Sequence, residues 1–201
     1  MTAPGAGAPA EVTLLLLNGG RSRRMGRDKA SLEVDGRALG LRPVEALGPL
    51  VAEVVVAGRP IPGLDARVVD DPVAGAGPLA GVVAGLAATR TPYAVAVACD
   101  MPALVPAVVA LLLARIAGDP RLIAACCTAA AGLEPLPLAL RVAAARGPLE
   151  AALAMGERAL RTALDGPGLG VVGEPEWRQL DPEGRCFVNW NRPEDVGGVI
   201  R

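Results

Sequence analysis

Residues 14–29 read L-L-L-L-N-G-G-R-S-R-R-M-G-R-D-K. Four consecutive leucines leave no polar face, the pattern of a strand buried on both sides inside a parallel sheet. The run stops at Gly19 and Gly20, where the missing Cβ atoms permit a sharp turn or the close approach of a ligand. Arg21, Arg23, Arg24, Arg27 and Lys29 then place five cations within nine residues. A turn leaving the carboxyl end of a central strand, rich in backbone N–H groups and positive charge, suits a polyphosphate. A solvated turn that merely carries arginines is the competing reading. Two familiar nucleotide loops are excluded. Gly20 and Gly26 are separated by one residue too many for a P-loop, and Arg27-Asp28 stands where Lys-Ser/Thr is needed; G-x-G-x-x-G is absent.

Outward from this stretch, apolar runs alternate with helical spacings. Residues 39–50 carry Leu39, Leu41, Val44 and Leu47 at helical intervals, with Pro43 obscuring the start. Strands are expected at 53–57, 67–69, 93–98, 122–127 and 170–172. Residues 75–86 form a glycine loop entering a helix, with Pro78 placed for its first turn. Helices are expected at 106–116, 138–145 and 149–155. This alternation implies an α/β fold, a single doubly wound and mainly parallel sheet. Residues 1–10, a Gly/Ala/Pro leader, are expected to be disordered, and residues 11–201 to form one domain.

Twenty basic and twenty-one acidic residues give a net charge of −1, so no global field steers the chain to nucleic acid or to a membrane surface. The cation cluster after Gly20 is therefore a local feature. No apolar run reaches the roughly 18 residues of a membrane span, and the leader lacks the charged and apolar regions of a signal peptide. The cytoplasm is the expected compartment. There is no histidine, which excludes Ser-His and Cys-His nucleophiles, and no C-x-x-C pair to suggest zinc. Cys99, Cys126 and Cys127 lie in apolar runs, where a free cysteine is ordinarily a small core residue.

In open α/β sheets ligands bind beyond the carboxyl ends of the strands. Three expected strands end in Asn18-Gly19-Gly20, Asp70-Asp71 and Cys99-Asp100. If those strands are neighbours, two aspartate positions face the basic loop across one crevice. That would suit a nucleoside triphosphate with Mg²⁺, a metal held by one or two carboxylates plus phosphate oxygens. Asp100 could instead cap a helix ahead of Pro102.

The opening stretch resembles the signature L-x-G-G-x-S-x-R-M-G-x-D-K of the MobA-like nucleotidyltransferases, which complete molybdenum cofactor synthesis. Leu17, Gly19, Gly20, Ser22, Arg24, Met25, Gly26, Asp28 and Lys29 match; Asn18 departs, since the family usually has alanine there. Cys99-Asp100-Met101-Pro102 resembles the family's D-x-P motif, and Gly77-Pro78-Leu79-Ala80-Gly81 its G-P-L-A-G loop. Glu134-Pro135-Leu136-Pro137 resembles the P-L-x segment ahead of the acceptor-side helices, and residues 187–195 the closing F-x-N-x-N-T-P-E-D.

The resemblance implies a Rossmann-like nucleotidyltransferase fold and a guanylyltransferase that joins GTP to Mo-molybdopterin with Mg²⁺ as cofactor. It implies nucleotide contacts at Leu17, Asn18, Gly19, Gly20, Lys29, Asp70, Gly77, Pro78, Leu79 and Asp100. Asp71 would replace Asp70 under a one-residue slip. Arg24, Lys29 and Asp100 would serve the transfer, Asp100 as metal ligand, with Asn189 and Asn191 on the acceptor side. Transient contact with cofactor delivery proteins would accompany such a role. A CTP-dependent sister enzyme, a nucleotidyltransferase with another phosphorylated acceptor, and a non-catalytic GTP-binding protein are the alternatives.

Overall fold

The computed structural model describes residues 11–19, 29–34, 36–70 and 77–190. Leu14 to Leu17 lie within β1 (Val12–Asn18), every residue of which is buried. Alternation divides its side chains between the two layers. Leu14 and Leu16 enter one core cluster, Leu15 and Leu17 the other.

Six more strands complete the sheet: β4 (Glu53–Gly58), β5 (Arg67–Val69), β6 (Tyr93–Ala98), β7 (Ala124–Ala129), β8 (Gly132–Arg141) and β9 (Leu169–Val172). Their order is β5-β4-β1-β6-β8-β7-β9, with a separate hairpin of β2 (Glu33–Val34) and β3 (Arg37–Ala38). The pairs β4–β5, β1–β4, β1–β6 and β7–β9 are parallel, and only β8 runs against its neighbours β6 and β7. The mainly parallel, doubly wound arrangement expected from the sequence is therefore present, with one reversed strand.

Helices cover both faces. On the Leu14/Leu16 side lie α1 (Arg42–Leu47), α3 (Pro106–Gly118) and α6 (Glu174–Trp177), contributing Leu47, Val109, Leu112, Ile116 and Trp177. On the Leu15/Leu17 side lie α2 (Gly77–Ala88), α4 (Val142–Ala154) and α5 (Leu160–Ala163), contributing Leu79, Val82, Leu86, Leu149 and Leu160. Residues 39–50 are helical as expected, but Pro43 occupies the first turn of α1 and short 3₁₀ turns flank it.

One expectation fails. The apolar run 138–145 predicts a helix, yet Leu138, Ala139 and Leu140 belong to β8, and α4 begins only at Val142. All three are fully buried between β6 and β7. A short apolar run buried on both sides carries no period, so it reads equally well as helix or strand. Pro135 and Pro137 disguise the strand further. They fall where the β7–β8 register shifts, between the Ala125↔Ala139 and Cys127↔Glu134 pairs, where missing donors interrupt least.

Candidate active site

Because β1, β4, β5 and β6 are mutually parallel, their carboxyl ends open on one edge of the sheet. Asn18-Gly19 leaves β1 there, Cys99-Asp100 leaves the adjacent β6, and Asp70 leaves β5. The β1 and β6 ends are locked by a backbone bond from Cys99 N–H to Leu17 C=O, 3.1 Å. Asp70 is not a direct neighbour. With β4 intervening, its strand runs about 10 Å from β1 at the usual strand spacing, and Asp70 itself is exposed.

Leu17 is buried and contributes only backbone to this edge. Asn18 is 3% exposed and turned inward: its Nδ2 donates to Arg59 C=O at 2.8 Å, and its Oδ1 accepts from the Cys99 thiol at 3.4 Å. Gly19 is exposed. Gly20 and Arg24 lie outside the described residues, as do Asp71 and Asn191. The backbone of Lys29 opens a 3₁₀ turn (Lys29–Ser31), and the next residue, Ala30, is fully buried in the Leu14/Leu16 cluster. The chain that follows the cationic residues is thereby anchored in the core at Ala30.

Two glycines hold this edge in shape. Gly58, at the end of β4, has φ +109°, and a Cβ there would lie 2.5 Å from Asn18 O and 2.9 Å from Gly19 N. Gly77 has φ +77°, and a Cβ would lie 2.9 Å from Arg158 O, so the start of α2 abuts the α4–α5 connection. Gly77 and Pro78 are exposed, while Leu79 is buried. Like every helix start, this one presents N–H groups without intrahelical partners.

Asp100 is half-buried, and its C=O accepts a 2.9 Å bond from Trp190 N–H. The carboxyl-terminal segment thus lies against the end of β6. Trp190, buried at 4% exposure, packs with Leu39, Leu32 and Val188, which joins the tail to the segment that follows Lys29. Asn189 beside it is exposed, its Nδ2 3.5 Å from Phe187 C=O. Behind the tail, fully buried Asp181 accepts from Cys186 N–H at 2.8 Å, and Trp177 Nε1 donates to Thr128 C=O at 2.8 Å. Cys186 Sγ in turn accepts from Val105 N–H at 3.0 Å. The sequence reading weighed only the asparagines of this segment and missed Trp190. Its signal was a large aromatic between them in a chain with 2% aromatics.

The structure therefore brings Gly19, the Lys29 backbone, Asp100 and Asn189 to one region, with Asp70 at its flank. Among the described residues no group of three or more His, Cys, Asp or Glu gathers to hold a metal. A cation at Asp100 would thus meet a hard oxygen donor and take further ligands from phosphate and water, the habit of Mg²⁺ rather than zinc. Burial pushes the thiols of Cys126, Cys127 and Cys186 up to about 12, so none is a nucleophile at neutral pH. An open depression of about 510 Å³, lined by Val44, Glu53 and Arg67 among others, lies at the opposite, amino-terminal end of β4 and β5. It is remote from these groups. Among the described residues no helix is long and apolar enough to cross a membrane.

The chain is similar to known proteins over most of its length. The chain is 39% identical over 189 residues to a protein of Chloroflexus aggregans named probable molybdenum cofactor guanylyltransferase, covering 90% of each. It is 38% identical over 206 residues to the molybdenum cofactor guanylyltransferase of Burkholderia ambifaria, covering 94% of this chain and 96% of that one. Its fold superposes with a TM-score of 0.75 and 25% identity on molybdopterin-guanine dinucleotide biosynthesis protein A from Archaeoglobus fulgidus, covering 92% and 94% of the two chains. The family described as "MobA-like NTP transferase domain" matches residues 14–169. With that match over most of its length, the chain belongs to the MobA-like NTP transferase family, a family of nucleotidyltransferases.

Proposed function

We propose that this protein is a cytoplasmic molybdenum cofactor guanylyltransferase, transferring GMP from GTP to Mo-molybdopterin with release of pyrophosphate. One observation carries the reading: relatives bearing that name align over about nine-tenths of the chain. The position of Gly19 and Asp100 just beyond adjacent parallel strands supports it.

The terminal phosphate of the acceptor attacks the α-phosphorus of GTP in line. A new P–O bond forms there as the bond to the β-phosphate's bridging oxygen breaks, and pyrophosphate leaves with the electron pair. Positioning and charge neutralisation dominate such chemistry. Backbone N–H groups of Gly19 and Gly20 cradle phosphate, and Arg24 and Lys29 offset charge on the α-phosphate and the departing pyrophosphate. Asp100 would hold Mg²⁺, which supplies charge neutralisation at the phosphate oxygens. Gly77, Pro78, Leu79 and Asp70 flank the nucleotide, and Asn189 and Asn191 face the acceptor. A phosphate nucleophile is already ionised at neutral pH, so a chain without histidine lacks nothing the reaction needs. A transiently bound delivery protein would bring the acceptor to the site.

The CTP alternative rests on Asn18, which stands where the family usually has alanine; GTP is the donor supported by the names of the relatives. The test is binding of GTP, CTP, ATP and UTP to the purified protein with Mg²⁺, followed by GMP transfer. Tightest binding of GTP is expected; tighter binding of CTP overturns the assignment.

A further inference from the structure

Asn18 is one of three buried polar residues among those described, with Thr13 and Asp181. It shares the face of β1 that carries Leu14 and Leu16 into an apolar cluster. A primary amide in such a place is costly unless bonded, and the bonds it makes are specific. Only Nδ2 can face the Arg59 carbonyl, because a carbonyl accepts and does not donate. That orientation leaves Oδ1 toward β6, where the Cys99 thiol supplies the proton. One side chain on β1 therefore reaches the segment after β4 on one side and the segment after β6 on the other. Arg59 N–H returns a 3.2 Å bond to Asn18 C=O, and Cys99 N–H bonds Leu17 C=O at 3.1 Å.

We infer that Asn18 is a positioning residue: its amide fixes the separation between Gly19, at the end of β1, and Asp100, at the end of β6. The inference rests on the proposed function, in which those two groups hold phosphate and metal. The chemistry of the bridge fits positioning better than stability. A thiol is a weak donor, so leaving the buried Cys99 Sγ–H without this acceptor costs little, and the main-chain bonds of Arg59 and Cys99 to β1 remain when the amide is removed.

Asn18→Ala is expected to lower kcat roughly tenfold, since misplacing reacting groups by a fraction of an ångström costs on that scale, while the KM for GTP stays within about threefold. Cys99→Ala, which removes only the weaker contact, is expected to lower kcat by a smaller factor, and Cys99→Ser to keep it. The double variant should be no worse than Asn18→Ala alone, because the residues act through one bridge. Amide hydrogen exchange at Arg59 and Cys99 should be at least about tenfold faster in Asn18→Ala, while the centre of β1 stays protected. Wild-type protein that does not turn over GTP refutes the proposed function, and the exchange measurement still decides the bridge. Active wild type with Asn18→Ala within twofold of its kcat, or unchanged exchange at both amides, overturns the positioning role. Should Asn18→Ala fail to fold, wild-type kcat and exchange in Cys99→Ala overturn it equally.

Discussion

The strongest single perturbation the structure offers is Gly58→Ala. Gly58 pairs with Asn18 at the last rung between β4 and β1, and its φ of +109° lies in a region that L side chains rarely adopt. Holding alanine there costs about 1–3 kcal/mol. The new methyl would also stand 2.5 Å from Asn18 O and 2.7 Å from Asn18 C, where 3.0 Å is the closest approach that real Cβ atoms make. The Asn18 carbonyl must therefore retreat by about 0.5 Å or more, and it is backbone of a fully buried strand. Overpacking of this kind adds about 1–3 kcal/mol. Taking about 3 kcal/mol in total, the midpoint of thermal unfolding should fall by about 6–12 °C for a chain of this size.

The same movement reaches the site. Gly19 N would be 2.9 Å from the methyl, and that N–H is the first of the proposed phosphate cradle. GMP transfer should drop roughly tenfold or more, since about 1 Å of misplacement can cost a hundredfold. Gly36→Ala is the control. Gly36 also has positive φ, +75°, but nothing lies within 4 Å of its would-be Cβ. That variant should lose about 1 kcal/mol and keep its turnover. Thermal unfolding and steady-state GMP transfer on both variants suffice. Gly58→Ala behaving like Gly36→Ala in stability and rate would refute the steric reasoning.

Three further outcomes are expected. Lys29→Ala and Asp100→Ala should each lower GMP transfer about a hundredfold or more, the scale of losing one electrostatic stabiliser; near-normal turnover removes that residue from the mechanism. Burial would raise the Glu53 carboxyl, but the Thr13 hydroxyl, the Arg90 N–H and the charge of Arg67 outweigh it and hold it below its ordinary 4.5. Its ionised form therefore stabilises the fold above that pH and the contribution vanishes as pH falls through the lowered value. Glu53→Gln should accordingly be less stable than wild type to urea at neutral pH, with the gap closing in acid; a gap independent of pH contradicts the linkage. Finally, a thiol reagent at neutral pH should leave Cys126, Cys127 and Cys186 unmodified in native protein and label them on unfolding, as judged by mass spectrometry. Rapid native labelling of any of these would show that their burial is not maintained.

The sequence disclosed the parallel half of the sheet because those strands announce their burial. V-V-V in β4 and A-V-A-V-A in β6 leave no solvated face, and glycine or aspartate follows each where the chain turns. The reversed strand escaped because Leu138-Ala139-Leu140 has no period of its own and sits behind two prolines. Nothing local distinguishes it from the start of α4; its identity is set by β6 and β7 on either side. The site divides along the same line. Gly19 and the strand-end Asp100 are candidates a sequence can offer, because backbone geometry and metal chemistry restrict which residues could serve there. The links between them were not legible. Asn18 to Cys99 spans 81 positions, and Trp190 to Asp100 is a backbone contact that leaves no trace in residue type.

That difference bears on how the edge is built. The bonds from Cys99 N to Leu17 O, Arg59 N to Asn18 O and Trp190 N to Asp100 O are all made by main chain. Main-chain bonds survive replacement of the side chains around them, provided no Cβ intrudes. Gly58 and Gly77 are positions where a Cβ would intrude on main chain. The Asn18–Cys99 bridge is a side-chain addition to that frame. Its loss should change how firmly the two ends are held and leave the architecture intact, whereas a methyl at Gly58 attacks the frame itself. The two variants should therefore separate: Asn18→Ala losing rate with little stability, Gly58→Ala losing both.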